Sequence, residues 1–129
     1  MLVRTQLLIV LLVTACGTST APGSFRDVVR AGHPREVTVT GVVQQVLSDG
    51  HGPSGLHERF LLVVDGVQVE VDHNLSLAPR APVHVDDSVT VHGQFEPDPG
   101  HPVIHYTHHA TGSHEGGYVR LRGHTYALG

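Results

Sequence analysis

The chain has no lysine, no tryptophan and one cysteine, Cys16. A lone cysteine rules out an intramolecular disulfide, so a small domain here must be held by its core or by a bound metal. Eight arginines stand against 12 aspartates and glutamates, and the formal charge is −4. Nucleic-acid binding needs a basic surface that displaces counterions, and this balance argues against it. Aromatic residues make up 5% of the chain, leaving few platforms on which bases could stack. No apolar run approaches the roughly 20 residues of a membrane-spanning helix. There is no internal repeat, no HExxH and no CxxC pair. At 129 residues with 40% apolar composition, the chain has room for one domain with one modest core.

The first 24 residues read as export and anchoring. Arg4 precedes an apolar run from Leu7 to Val13, which has the length of a secretory signal core. The run ends in Leu12, Val13, Thr14, Ala15 and Cys16, a pattern that resembles the lipobox of bacterial lipoproteins. Residues 1–15 are then the signal peptide, and Cys16 is the lipidated first residue of the mature protein. Residues 16–24 are small, polar and uncharged, and form a flexible tether. The expected location is the cell envelope, attached to the membrane through the lipid. By resemblance to the lipoprotein sorting rule, the absence of Asp at position 17 favours the outer membrane of a two-membrane cell. Removal of Arg4 with the leader takes the formal charge from −4 to −5.

Residues 25–129 carry the domain. Ser24 and Asp27 have the spacing of a capping box, and Phe25, Val28 and Val29 make a short apolar stripe that Gly32 and Pro34 end. Strands follow. Val37 to Leu47 alternates, with Gly41 at a bend or bulge, and Ser48 to Gly55 is a glycine-rich loop. A second strand covers Arg59 to Val64. Asp65 and Gly66 form a two-residue hairpin turn, and Val67, Val69 and Val71 then share one face. Further strands cover Asp87 to Phe95, Val103 to Thr107 and Tyr118 to Tyr126. The pattern predicts an all-β, OB-fold-like Greek-key barrel with a short N-terminal helix, the alternative being a β-sandwich.

Twelve histidines are the feature in excess. Neutral imidazole is the commonest metal ligand, and imidazole also titrates near physiological pH. His101, His105, His108, His109 and His114 fall within 14 residues, His57 precedes the core of the second strand and His73 ends the third. Residues four apart on a straight strand are roughly 13 Å apart, so His105 and His109 cannot share an ion without a turn. A site therefore needs ligands from several segments: His57, His73, His105, His108 and His114 for zinc or another divalent transition metal. His33, His51, His84, His92, His101 and His124 read as solvated polar residues.

Several blocks together resemble the DUF3465 family of small bacterial secreted or lipoprotein-type proteins. They are Gly55 to Phe60, Asp72 to Arg80, Val103 to His109, and His114 with Gly116, Gly117 and Tyr118. The resemblance runs from about Val39 to Tyr126. It implies that His57, Arg59, His73, Asn74, Arg80, His105, Thr107, His108 and His114 belong to the shared pattern. Glu58 stands where the family has Gln, and Tyr106 where it has Trp. Ala110 and Thr111 replace a frequent Asp-Pro. The family supplies no activity.

The expected function is a lipid-anchored binding module with a histidine-rich polar site for a metal ion or small anion. Arg59 and Arg80 are candidates for pairing bidentately with the anion, and Asn74 and Thr107 for lining its site. An alternative is a metal- or histidine-dependent hydrolase of phosphodiesters or esters. Another is a pH-responsive structural protein, since protonating all 12 histidines takes the charge from −5 to +7.

Overall fold

The computed structural model describes residues 23–128. The leader, Cys16 and the tether up to residue 22 lie outside the described residues. The order of elements is α1 (Phe25–Ala31), β1 (Arg35–Gly52), β2 (Gly55–Val64), β3 (Val67–Asn74), β4 (Ser88–Glu96), β5 (Val103–His105), β6 (Tyr118–Leu121) and β7 (His124–Tyr126). Among these helices and strands, no helix is long and apolar enough to cross a membrane.

Five strands close a ring in the order β1-β2-β3-β5-β4, with β4 pairing back onto β1. All the ring pairings are antiparallel except β3 with β5. This is the OB-type Greek-key barrel that the strand pattern predicted, and the sheet closes on itself rather than splitting into a sandwich. β6 pairs with the free edge of β4, and β7 with β6. The interior is filled by Val43, Phe60, Leu62, Val69, Val71, Val89, Val91, Phe95, Ile104 and Val119, all essentially without solvent contact. Many are valines, whose branched side chains suit a pleated surface.

Helix α1 closes one end. Ser24 and Asp27 form the capping box, and Gly32 ends the helix in the left-handed conformation. Phe25 packs edge-on against Phe95 at 5.7 Å, and its backbone N–H donates to Asp65 Oδ2 at 2.7 Å. Asp65 and Gly66 both have positive φ, as a type I′ hairpin turn requires.

Two stretches differ from the pattern reading. The predicted loop Ser48–Gly55 is mostly strand: β1 runs on to Gly52 as a ribbon paired with β2, with irregularities between Val43 and Gln45 and between Leu47 and Gly50. Nearly all of that extension is exposed, so no buried face imposed an alternation to read. The single last strand is a hairpin, β6 and β7, turned by Arg122 and Gly123 at positive φ. Gly41 marks a close approach rather than a bulge, because a Cβ there meets the carbonyl oxygen of Val63.

Candidate functional site

Phe60, Val71, Ile104 and Phe95 fill the interior, so strand alternation turns their neighbours Arg59, Asp72, His105 and Gln94 to the outside. Register sets them side by side. Arg59 faces Asp72, Val71 faces Ile104, and Gln94 faces His105. On this outer face of β2, β3 and β5 lies a cleft of about 880 Å³. The β1–β2 ribbon (Gly50 to Ser54) forms one wall, and the β4–β5 connection, with Glu96, Asp98 and His101, forms another. The segment after β5 supplies Tyr106, His108, Thr111, Ser113 and His114. Tyr106 turns the chain with φ of 55°, a conformation costing a non-glycine residue about 1–2 kcal/mol. Gly117 lets the segment sit down, since a Cβ there meets the carbonyls of Tyr106 and His92.

Four of the five histidines chosen from the sequence line this cleft: His57, His105, His108 and His114. Three have their Nδ1 on a backbone carbonyl, which can only accept. His57 Nδ1 donates to Gly55 O at 2.9 Å, His108 Nδ1 to His109 O at 2.8 Å and His114 Nδ1 to Glu115 O at 2.7 Å. In the neutral ring Nε2 then carries the lone pair, which meets the Thr111 hydroxyl at 3.0 Å in His114 and the Ser54 hydroxyl at 3.4 Å in His57, both of them exposed groups that can turn away to solvent. Burial lowers His105 and His108 below the ordinary imidazole range and favours that neutral form. His108 and His114 meet edge to face at 4.8 Å, and Tyr106 stacks on His114 at 4.4 Å.

His73 does not join them. It is fully buried inside the barrel, and both ring nitrogens are engaged. Nε2 donates to Pro79 O at 3.0 Å, and Nδ1 accepts from the Thr107 hydroxyl at 2.8 Å. Burial lowers His73 below the ordinary imidazole range and favours the neutral ring. No lone pair is left for an ion, so His73 leaves the metal set and Thr107 leaves the ligand set. Next to it, opposite in register, Glu58 is also interior and accepts the N–H of Ala81 at 2.9 Å. Burial raises Glu58 to about 7. Arg80 lies outside the cleft and forms a two-pronged pair with Asp49, one bond being 3.0 Å. Asn74 lines the cleft, but its amide is committed to Ser54 O and its oxygen to the N–H of Ser76.

Asp72 is a candidate histidine-orienting group under the hydrolase alternative, with Glu58 and Glu115; Glu70 was not among the residues chosen from the sequence. Glu70, on the outer face, is only 3% exposed because the cleft walls cover it. Arg59 Nε donates to Glu70 Oε1 at 2.6 Å, and His101 Nε2 lies 2.7 Å from Oε2. Burial opposes ionisation of Glu70, yet Arg59, Asp72 and His101 together hold it below its usual value. Burial, hydrogen bonding to Glu70 and the charge of Glu70 raise Asp72 to about 7, so the pair shares a proton near neutrality. His105 Nδ1 lies 3.9 Å from Asp72 Oδ2. His51 and His101, read from the sequence as solvated, also line the cleft. His92 is part-buried rather than solvated, beside Glu36 and Glu115.

Fold and site define an OB-type barrel with a histidine- and carboxylate-lined cleft on its β2–β3–β5 face. The chain belongs to the DUF3465 family, described as a protein of unknown function, whose model matches residues 26–127. Nothing among curated proteins or solved structures matches it.

Proposed function

We propose that this is a binding module of the bacterial cell envelope, held to the membrane by lipid on Cys16, whose cleft takes up a divalent transition-metal ion such as zinc. The observation that carries the reading is the common tautomer of His57, His108 and His114. A backbone carbonyl on Nδ1 and a basic Nε2 is the arrangement that metal-ligating histidines use. Charge favours a cation over the small anion. Glu70, Asp72, Glu96 and Asp98 line the cleft against Arg59, which Glu70 already occupies, and Arg80 is paired elsewhere. Among the described residues these imidazoles do not converge within 4.8 Å as a set of three, so an ion draws the ribbon and the His108–His114 segment together. The anchor reading rests on the apolar run ending at Cys16 and the uncharged stretch after it.

Zinc titration of the untagged full chain by calorimetry tests this. Saturable binding is expected, weakened by more than about 100-fold in His57→Ala/His108→Ala/His114→Ala. Equal binding by wild type and variant overturns it.

A second reading, an envelope hydrolase, is favoured by Asp72. A carboxyl raised to about 7, beside an ionised partner and 3.9 Å from a neutral imidazole, suits general acid–base work. Turnover of aryl esters or phosphodiesters, lost in Asp72→Asn with the fold intact, supports it; no turnover above buffer removes it.

A further inference from the structure

A second group of ligating side chains sits outside the cleft, on the outer face of β1 and β4. Val37, Val39 and Val91 point inward, so Glu36, Thr38 and His92 point out. Thr38 faces His92 in register, and Glu36 is one step along the same face. Glu115 reaches over from the segment before β6. One donor atom from each of Glu36, His92 and Glu115 lies within 4.8 Å of the other two. None of the three lines the cleft.

The imidazole is aimed. Its Nδ1 is 2.7 Å from Thr38 Oγ1, and its ring stacks on Tyr118 at 5.7 Å and 23°. That leaves Nε2 facing both carboxylates, 3.3 Å from Glu115 Oε1 and 3.6 Å from Glu36 Oε2. Donors bound to one ion at about 2.1 Å stand roughly 3–3.5 Å apart, so these two spacings already approach those of a filled site. Glu36 Oε2 is itself shielded from solvent and makes no hydrogen bond, although the side chain as a whole is 29% exposed. Such an acceptor, facing a second carboxylate, costs stability unless a cation satisfies both. Burial, and then the charge of Glu115, raise Glu36 above the ordinary glutamate range.

We propose that Glu36, His92 and Glu115 form a second divalent-metal site, with His92 Nε2 and one oxygen from each carboxylate as ligands. One nitrogen and two oxygens suit zinc or manganese. Glu115 is largely exposed, so water completes the coordination. The competing arrangement is a plain ion-pair triad around a protonated His92.

The test titrates the full chain with zinc and with manganese, and compares it with Glu36→Gln and with the cleft variant His57→Ala/His108→Ala/His114→Ala. Glu36→Gln keeps the shape of the side chain. Without metal it is expected to unfold at a slightly higher temperature than wild type, because a charge that partial burial and Glu115 disfavour is gone. It is also expected to lose one metal equivalent, with the thermal stabilisation that equivalent brings. The cleft variant is expected to keep that equivalent. If Glu36→Gln binds as many ions as wild type, or unfolds at a lower temperature without losing one, the ion-pair triad is correct and this site is overturned. If Glu36→Gln loses an equivalent while the cleft variant binds as wild type does, this site stands and the cleft reading fails.

Discussion

The same two strands build two polar regions of opposite character. His57 and Asp72 face outward into the cleft, while their chain neighbours Glu58 and His73 face inward at the end of the barrel away from α1. Inside, the polar atoms are partnered by the β3–β4 connection: His73 holds Pro79 O, and Glu58 holds the N–H of Ala81. Outside, the Nε2 atoms of His57 and His114 meet only exposed hydroxyls, of Ser54 and Thr111, that can give way to a ligand in the cleft. A buried polar group with its partners fixed in place is part of the scaffold, and one aimed into open space is available to a ligand. His73, at the end of β3, is therefore a latch on the barrel end, while His57, His105, His108 and His114 line the cleft.

The largest effect expected from this contrast is on stability. His73→Ala removes a fully buried ring, strands the Thr107 hydroxyl and Pro79 O, and loosens the connection they pin. It should cost about 3 kcal/mol or more in urea unfolding. His114→Ala, in the exposed wall of the cleft, should leave the unfolding midpoint within about 0.5 kcal/mol of wild type while weakening zinc binding. A His73→Ala chain as stable as wild type but unable to bind zinc would invert the comparison and return His73 to the site.

Much of this was legible in the residues. The Asp65–Gly66 turn fixes Val64 opposite Val67, and counting back from it places Arg59 opposite Asp72 and His57 opposite Asn74. The valine alternation on β3 then sends Glu70 and Asp72 outward, so the carboxylates of the cleft were within reach of that count. Other features were not. The β1–β2 ribbon has no buried face, and nothing local announced that it would wall a cleft. The burial of Glu70 depends on the β4–β5 connection folding over it. His73 and His57 look alike in the chain, and only the partners brought by Pro79 and Thr107 separate a latch from a ligand. The Glu36–His92–Glu115 group joins residues 79 positions apart, through the β1–β4 pairing and a loop with no pattern of its own.

A smaller effect, and a sharper one, concerns Glu58. Its folded carboxyl titrates at about 7 against an ordinary value of 4.5, so the folded state holds the proton more tightly. A raised acid of this kind favours folding while protonated, and stability is lost as pH rises from about 4.5 to about 7. Glu58→Gln keeps an acceptor for Ala81 N–H and removes the charge. The variant should be more stable than wild type at pH 8, by on the order of 1–3 kcal/mol, with the difference gone below about pH 4.5. Asp72 and the buried histidines titrate in both proteins, so the difference isolates Glu58. A constant difference across pH would place the Glu58 charge in solvent, and the inner region would no longer be distinct from the outer.

The smallest effect is expected at the boundary between the two regions. Arg80 pairs with Asp49 on the surface, and exposed pairs of this kind contribute little to stability. Its charge also reaches Glu58, where it lowers the carboxyl against the larger effect of burial. Arg80→Ala should therefore shift the melting temperature slightly, and more at pH 8, where Glu58 is ionised, than at pH 5, where it is not. Zinc binding should be unchanged, because Arg80 does not line the cleft. A loss of binding with an unchanged melting temperature would make Arg80 a ligand residue and extend the cleft around the end of the barrel. A melting shift confined to high pH would instead tie Arg80 to the latch, through the one buried carboxylate that it helps to keep charged.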